Sequence, residues 1–395
     1  MNGNRSLRTY DEINEKIRSK SVTVMTAEEF KAKVENEGLD KTAKEVDVIT
    51  TGTFGAMCSS SVLLNFGHSD PPIKMQKIWL DDVPAYGGLA AVDVYLGATE
   101  MDESLNLFHG GAHVIEDLVR GKAIRLKAVA YGTDCYPRRE IDTWISLETI
   151  NQAVLLNPRN CYQNYAVATN SSDRIIYTYM GKLLPDYGNA TYSSAGELSP
   201  LLNDPYYRTI GIGTRIFLGG DDGYVFWEGT QFNSKAPRSP NGIPKRPAGA
   251  LAVIGDLKKM SSEFLRALTI HRYGTSLAIG IGIPVPILDL EMAKYCAVRD
   301  SEICTAVFDY SEQKRARTVL REVNYQELKS GQIEIKGKKV TTSSLSSMYK
   351  ARQIADELKR RISEGSFLLQ EPVQKFDLER EFKPLEIKTK EEVEK

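Results

Sequence analysis

Five cysteines hold most of the reactive potential of this sequence, and two stand in segments suited to a working thiol. Cys135 lies in Tyr131-Gly132-Thr133-Asp134-Cys135-Tyr136-Pro137-Arg138-Arg139-Glu140, directly after the apolar run 123–130. Gly132 permits a sharp bend, and Pro137 stops a regular element from running through the thiol. Arg138 and Arg139 set two permanent positive charges near the sulfur. Positive charge favours thiolate, the form that attacks electrophiles or carries a sulfane sulfur. The same arginines can grip a carboxylate in a two-pronged hydrogen bond, with Thr133 and Asp134 beside them as further polar contacts. A packed, inert cysteine with surface arginines nearby is the plain alternative.

Cys58 closes Thr51-Gly52-Thr53-Phe54-Gly55-Ala56-Met57-Cys58 and precedes Ser59, Ser60 and Ser61. A strand, a glycine turn, then Cys and Ser opening a helix would aim backbone N–H groups and a helix dipole at an anion, and would favour a thiolate. The competing reading is a tight turn with Cys58 packed beneath it. Neither GxxxxGK[ST] nor GxGxxG occurs in this stretch, so it is not a nucleotide loop. His109 and His113 flank Gly110-Gly111 and are acid–base candidates. A solvated or core role competes for both, and the glycines argue against a helix between them. The surroundings of Cys296 and Cys304 read as core, and Cys161 sits in a polar turn that leaves it undecided.

Several classes are excluded. With 51 basic and 52 acidic residues, nothing suggests a nucleic-acid binder or a polybasic membrane protein. The N-terminus leads into polar sequence and no apolar run is long enough to span a bilayer, so a cytoplasmic protein is expected. An odd cysteine count without CxxC argues against a disulfide framework, and four histidines not paired with cysteines argue against a metal site. No tightly bound cofactor is expected.

Stepping outward along the chain, helix, short strand and helix are expected over residues 1–45, with Thr26 and Glu29 as a capping box. A helix is expected near 147–156, and β-rich segments over 162–232 with a hairpin turn at 219–223. Residues 238–247 form a candidate lid or boundary. A strand at 250–256, a helix at 261–268 and an apolar strand at 277–287 suggest a parallel component. An amphipathic helix is expected over 344–364. The class is α/β (mixed α+β), with mixed sheets, flanking helices and a β-rich middle third. Residues 10–370 make the catalytic region, with any subdomain boundary near 160 or 240, and 371–395 a charged peripheral tail.

The two cysteine motifs, together with Asn157-Pro158-Arg159-Asn160, Tyr162-Gln163-Asn164-Tyr165, the run 211–220 and Gly280-Ile281-Gly282-Ile283-Pro284, resemble one family. It is the homocysteine-biosynthesis proteins of methanogenic archaea and anaerobic bacteria, the L-aspartate semialdehyde sulfurtransferases. The resemblance implies incorporation of sulfide sulfur into L-aspartate semialdehyde, with net reduction, to give L-homocysteine. It matches Cys135 to the family's persulfide cysteine and Cys58 to its second cysteine. It implies a sulfide or persulfide donor and a separate ferredoxin-like iron–sulfur reductase; a labile iron–sulfur cluster on the chain itself is a weaker variant, since no ferredoxin spacing occurs. The CBS domains common in the family are not expected here, and a homo-oligomer is. Arg138, Arg139, Asp134, Thr133, Ser59 and Ser60 are then substrate-binding candidates. Two alternatives stand: a non-catalytic persulfide carrier or ligand-binding scaffold, and, further off, an acyl transferase using His109 or His113 as base.

Overall fold

The computed structural model describes residues 7–57, 59–104, 107–380 and 382–393. The N-terminal expectation holds: helix Tyr10–Arg18, strand Val24–Thr26 and helix Ala27–Glu37. The capping box is present, with Glu29 N donating to Thr26 Oγ1 at 3.2 Å and Thr26 N to the Glu29 carboxylate at 2.7 Å. These elements pack beside a three-stranded sheet of Val24–Thr26, Val48–Thr50 and Pro284–Pro286.

The middle of the molecule is a 13-stranded sheet whose pairings are all antiparallel. Its order runs Leu265–Ile270, Gly274–Gly282, Arg215–Leu218, Asp221–Glu228, Leu251–Asp256, Gln152–Asn160, Ser61–Asn65, Asp93–Gly97, Val83–Tyr86, Lys77–Leu80, Ile124–Val129, Glu140–Ile145, with Thr53–Met57 branching onto Gly274–Gly282. The expected hairpin at 219–223 is a turn on Gly219 and Gly220, both at positive φ, where glycine carries no steric penalty. A second, six-stranded sheet contains Val167–Thr169 parallel to Cys304–Asp309, and Asn189–Tyr192 parallel to Lys338–Ser344.

Several local expectations are corrected. The chain after position 58 enters a strand, Ser61–Asn65, because Val62 and Leu64 are both buried on one face and alternate with more open neighbours. The segment near 147–156 becomes strand Gln152–Asn160, where Ala153, Leu155 and Asn157 are buried at a period of two. Residues 261–268 lead into strand Leu265–Ile270, hairpinned on Gly274–Gly282, so the parallel component lies in the smaller sheets instead. A helix does begin beside the glycines: Gly111–Val119. Its first N–H groups donate to Glu100 O and Ala98 O, which offsets the poor propensity of Gly110-Gly111. Cys304 is exposed at a strand start, not core, whereas Cys296 is buried. Residues 238–247 are pinned, since the Arg238 guanidinium donates to Pro205 O and Gly242 O at 2.9 Å each.

The amphipathic helix spans Met348–Ser363, with Ala351, Ile354, Ala355, Leu358 and Ile362 buried. It lies against Gly52, Gly280 and Gly282, a stripe of missing side chains that lets helix and sheet backbones approach closely.

Lys31, 2% exposed, reaches Asn203 Oδ1 at 2.8 Å and Glu197 O at 3.1 Å. Burial pushes its pKa down to about 8. The folded chain therefore releases this proton below the unfolded value near 10.4, and between those two values the unfolded chain binds more protons. Stability from this site accordingly rises with pH through that window. Between pH 7 and pH 10, the unfolding free energy of the parent should gain about 2 kcal/mol relative to Lys31→Met, measured by urea denaturation of both. A gap that stays constant with pH overturns this assignment.

Candidate active site

The site is built on the end of strand Gln152–Asn160. There Asn157 turns inward and its Nδ2 donates to Ser60 Oγ at 2.9 Å, while its Oδ1 accepts from Arg159 N at 3.0 Å. The pairing with Leu251–Asp256 slips between Asn157 and Asn160, and this irregularity re-aims the residues that follow. Cys161 and Asn164 adopt φ of 51° and 50°, left-handed conformations that non-glycine residues hold only when their surroundings demand it. Asn164 Nδ2 donates to Pro244 O and Cys304 O, and Gln163 Nε2 to Leu201 O and Pro205 O. Those bonds supply the restraint.

The result is a cavity of about 340 Å³ walled by Ala56, Ser59, Arg159, Tyr162, Tyr165 and Tyr179, with Gln231 and Tyr273 at its side. Arg159 Nε is buried without a hydrogen-bond partner, and among the described residues no carboxylate pairs with its guanidinium. A buried donor left unpaired on a partly buried cation is costly unless a ligand supplies the acceptor. Tyr165 Oη and Tyr179 Oη lie 3.0 Å apart, as do those of Tyr179 and Tyr310. Burial pushes the Tyr165 and Tyr310 phenols upward, so they stay protonated donors. Behind Tyr162, Tyr165 and Ser193 lies a second chamber of about 20 Å³ that also includes Asn160 and Cys161. Cys161 is buried, and burial raises its pKa, so it is a thiol and not a thiolate.

The residues singled out in the sequence separate into two places. Ser59 lines the cavity, and Ser60 is buried as the acceptor for Asn157. Cys58 lies outside the described residues. Cys135 is exposed at the tip of the hairpin joining Ile124–Val129 to Glu140–Ile145. Thr133 and Tyr136 exchange backbone hydrogen bonds of 2.9 and 3.1 Å, and Thr133 Oγ1 also accepts from Tyr136 N, leaving Asp134 and Cys135 as the loop. Tyr136 stacks on His68 at 5.9 Å. The Arg138 guanidinium donates to Asp70 O at 2.6 Å and Pro71 O at 2.9 Å. Arg139 lies over Gly132. His109 and His113 stack on each other at 5.6 Å and do not line the cavity. Burial, then the neighbouring His109, lowers the pKa of His113.

Strand register measures the separation. Leu63, Tyr95, Tyr86, Lys77 and Val129 stand in one row across the sheet. Ser59 lies below that row and Cys135 beyond it in the opposite direction, so at about 3.3 Å per residue they are more than about 20 Å apart. Cys161 and Cys296 belong to different parts of the core, and among the described residues no three His, Cys, Asp or Glu side chains converge. Arg159 and Asn160 line the two cavities without standing out in the sequence. The signal that could have found them is an arginine and an asparagine directly after Asn157-Pro158.

The end of a central strand thus carries a guanidinium whose Nε has no hydrogen-bond partner, beside a phenol chain and a serine hydroxyl, around a cavity with room for a small molecule. The family described as homocysteine biosynthesis enzyme, sulfur-incorporation, matches residues 22–369, and the chain belongs to it. An L-aspartate semialdehyde sulfurtransferase of Methanosarcina acetivorans is 55% identical over 368 residues, covering 93% of this chain and 72% of the relative. One of Methanocaldococcus jannaschii is 52% identical over 382 residues, 93% of this chain and 73% of the relative. An uncharacterized protein of Methanothermobacter thermautotrophicus is 26% identical over 336 residues. No solved structure matches. The protein is thus a sulfurtransferase of homocysteine biosynthesis, and among the described residues no helix is long and apolar enough to cross a membrane.

Proposed function

We propose that this chain converts L-aspartate semialdehyde to L-homocysteine, with the sulfur taken from a persulfide donor and carried as a persulfide on Cys135, and four electrons supplied by a separate ferredoxin-like iron–sulfur protein. The observation that carries the reading is the cavity beside Ser59 in which Arg159 has unused donors and no carboxylate partner. Arg159 takes the substrate carboxylate, and Cys58, adjacent to Ser59 in sequence, passes sulfur to the aldehyde carbon. Cys135 collects sulfur from the donor at an exposed tip. Because register separates that tip from the cavity of its own chain, the hairpin of one copy serves the cavity of another.

Replacing the aldehyde oxygen by the outer sulfur of a persulfide forms the C–S bond, breaks the S–S and C–O bonds, releases water and consumes four electrons and four protons, which no single residue of the chain supplies. The test is intact-mass analysis after anaerobic treatment with a persulfide donor, comparing the parent with Cys135→Ala and Cys58→Ala. One added sulfur that is absent only in Cys135→Ala, and is discharged by semialdehyde plus reductant, supports the reading. Sulfur discharged to other proteins and never to the semialdehyde favours the carrier, a reading suited to an exposed thiol remote from the cavity. Absence of sulfur on Cys135 under every condition sinks both.

A further inference from the structure

The geometry points to the small chamber behind Tyr162 and Tyr165 as the pocket for the substrate's aldehyde oxygen, with Asn160 Nδ2 as the hydrogen-bond donor to it; this rests on the semialdehyde reading above. Asn160 is 2% exposed. Its Oδ1 accepts from Cys161 N at 2.7 Å. That bond fixes the amide orientation, because only oxygen can face an N–H. Nδ2 is therefore the free end, and it has no protein partner. An unsatisfied buried amide is costly and rare in native proteins. The chamber, about 20 Å³, has room for one water-sized group.

The walls suit an oxygen that starts neutral and becomes charged only during reaction. Thr53, Ser194 and Ser199 contribute hydroxyls, and Cys161 a thiol that burial keeps protonated. No cation lines the chamber, so a resident anion would be poorly compensated there. Arg159 and Asn160 are consecutive, with Cα atoms about 3.8 Å apart, and the two cavities share Tyr162, Tyr165 and Ser193 as walls. One small substrate can thus place its carboxylate on Arg159 and its carbonyl in the chamber. When the sulfur lone pair forms the C–S bond, the carbonyl π pair moves onto oxygen, giving a hemithioacetal alkoxide. This addition needs no external electrons; protonation of the alkoxide follows, and loss of water and reduction come later. A fixed N–H donor is most effective at the moment the oxygen gains charge.

The test is homocysteine formation from L-aspartate semialdehyde and sodium sulfide, with titanium(III) citrate as electron source, for the parent, Asn160→Asp and Thr53→Val. Asn160→Asp keeps the acceptor for Cys161 N and exchanges the donor for an oxygen. Its kcat should fall about 100-fold with KM for the semialdehyde little changed. Thermal stabilisation by L-2-aminobutyrate, which has the carboxylate and amine but no carbonyl, should stay at the parent level. Thr53→Val, a milder change, should lower kcat about tenfold. Parent-like kcat in both variants overturns the proposal and leaves the chamber to a structural water. A raised KM with weakened aminobutyrate binding and unchanged kcat also overturns it, making Asn160 a shape element of ground-state binding. A parent enzyme that forms no homocysteine defeats the functional reading itself, whatever the variants do.

Discussion

Arg159→Met should lower kcat/KM for L-aspartate semialdehyde by about 1,000-fold, close to 4 kcal/mol. The size follows from the site. The guanidinium is partly buried, its Nε has no protein partner, and no described carboxylate competes for it. Nε is therefore available to a substrate, in partly desolvated surroundings where a charged hydrogen bond is stronger than in water. Methionine retains most of the volume, so wall packing survives and the loss reports the charge. Arg159→Lys should recover only part, because an ammonium cannot make the planar two-pronged contact. Steady-state kinetics should include 3-aminopropanal, which lacks the carboxylate. Parent and Arg159→Met should use it equally poorly. If Arg159→Met stays within about tenfold of the parent on the semialdehyde, the carboxylate binds elsewhere.

Gly52→Ala should destabilise the fold by about 3 kcal/mol, the largest stability effect expected among the glycines of the cysteine motifs. A Cβ at Gly52 would stand 2.1 Å from Ala351 O and 3.2 Å from Ala355 N. Both are backbone atoms of the helix Met348–Ser363, so relief requires moving the helix. That helix is also tied to the same corner by Thr50 Oγ1, which donates to Ala355 O at 2.8 Å, and Gly52 N itself donates to Leu198 O at 3.0 Å. At Gly282 the nearest obstacle is a side-chain atom, Ile354 Cγ2 at 2.8 Å, and the nearest backbone atom, Thr51 O, stands at 3.1 Å. A rotamer change and a shift of a few tenths of an ångström relieve both, so Gly282→Ala should cost clearly less. Urea unfolding of the two variants decides the matter; equal losses would mean that the helix moves freely and that backbone contact is not the cause. Thr53, the next residue, lines the small chamber, so Gly52→Ala should impair catalysis as well as stability.

Much was legible without coordinates. The Thr26–Glu29 capping box, the Gly219-Gly220 hairpin and the helix with Ala351, Ile354 and Leu358 on one stripe are local patterns, and local geometry decides them. The turn character of Cys135 followed in the same way from Gly132 and Pro137. The chemistry carried by long motifs was legible too, since the resemblance rested on stretches spread across the chain. Elements were misread where periodicity is ambiguous. The segments near 147–156 and 261–268 contain residues that suit helix or strand, and tertiary pairing settled them as β: Gln152–Asn160 lies between two strands, and Leu265–Ile270 closes the sheet against Gly274–Gly282.

Residue types and local spacing set the class, the family chemistry and the turn around Cys135. Which charges are already paired within the protein is a product of packing. Arg138 lies three residues from Cys135, yet its guanidinium is spent on the carbonyls of Asp70 and Pro71. Arg159 looked like one more polar residue near a proline, and it holds the unused donor in the cavity beside Ser59. Sequence distance limits what a residue can reach. Which buried donors are left unsatisfied depends on every chain segment packed around them, and that exists only in the folded molecule.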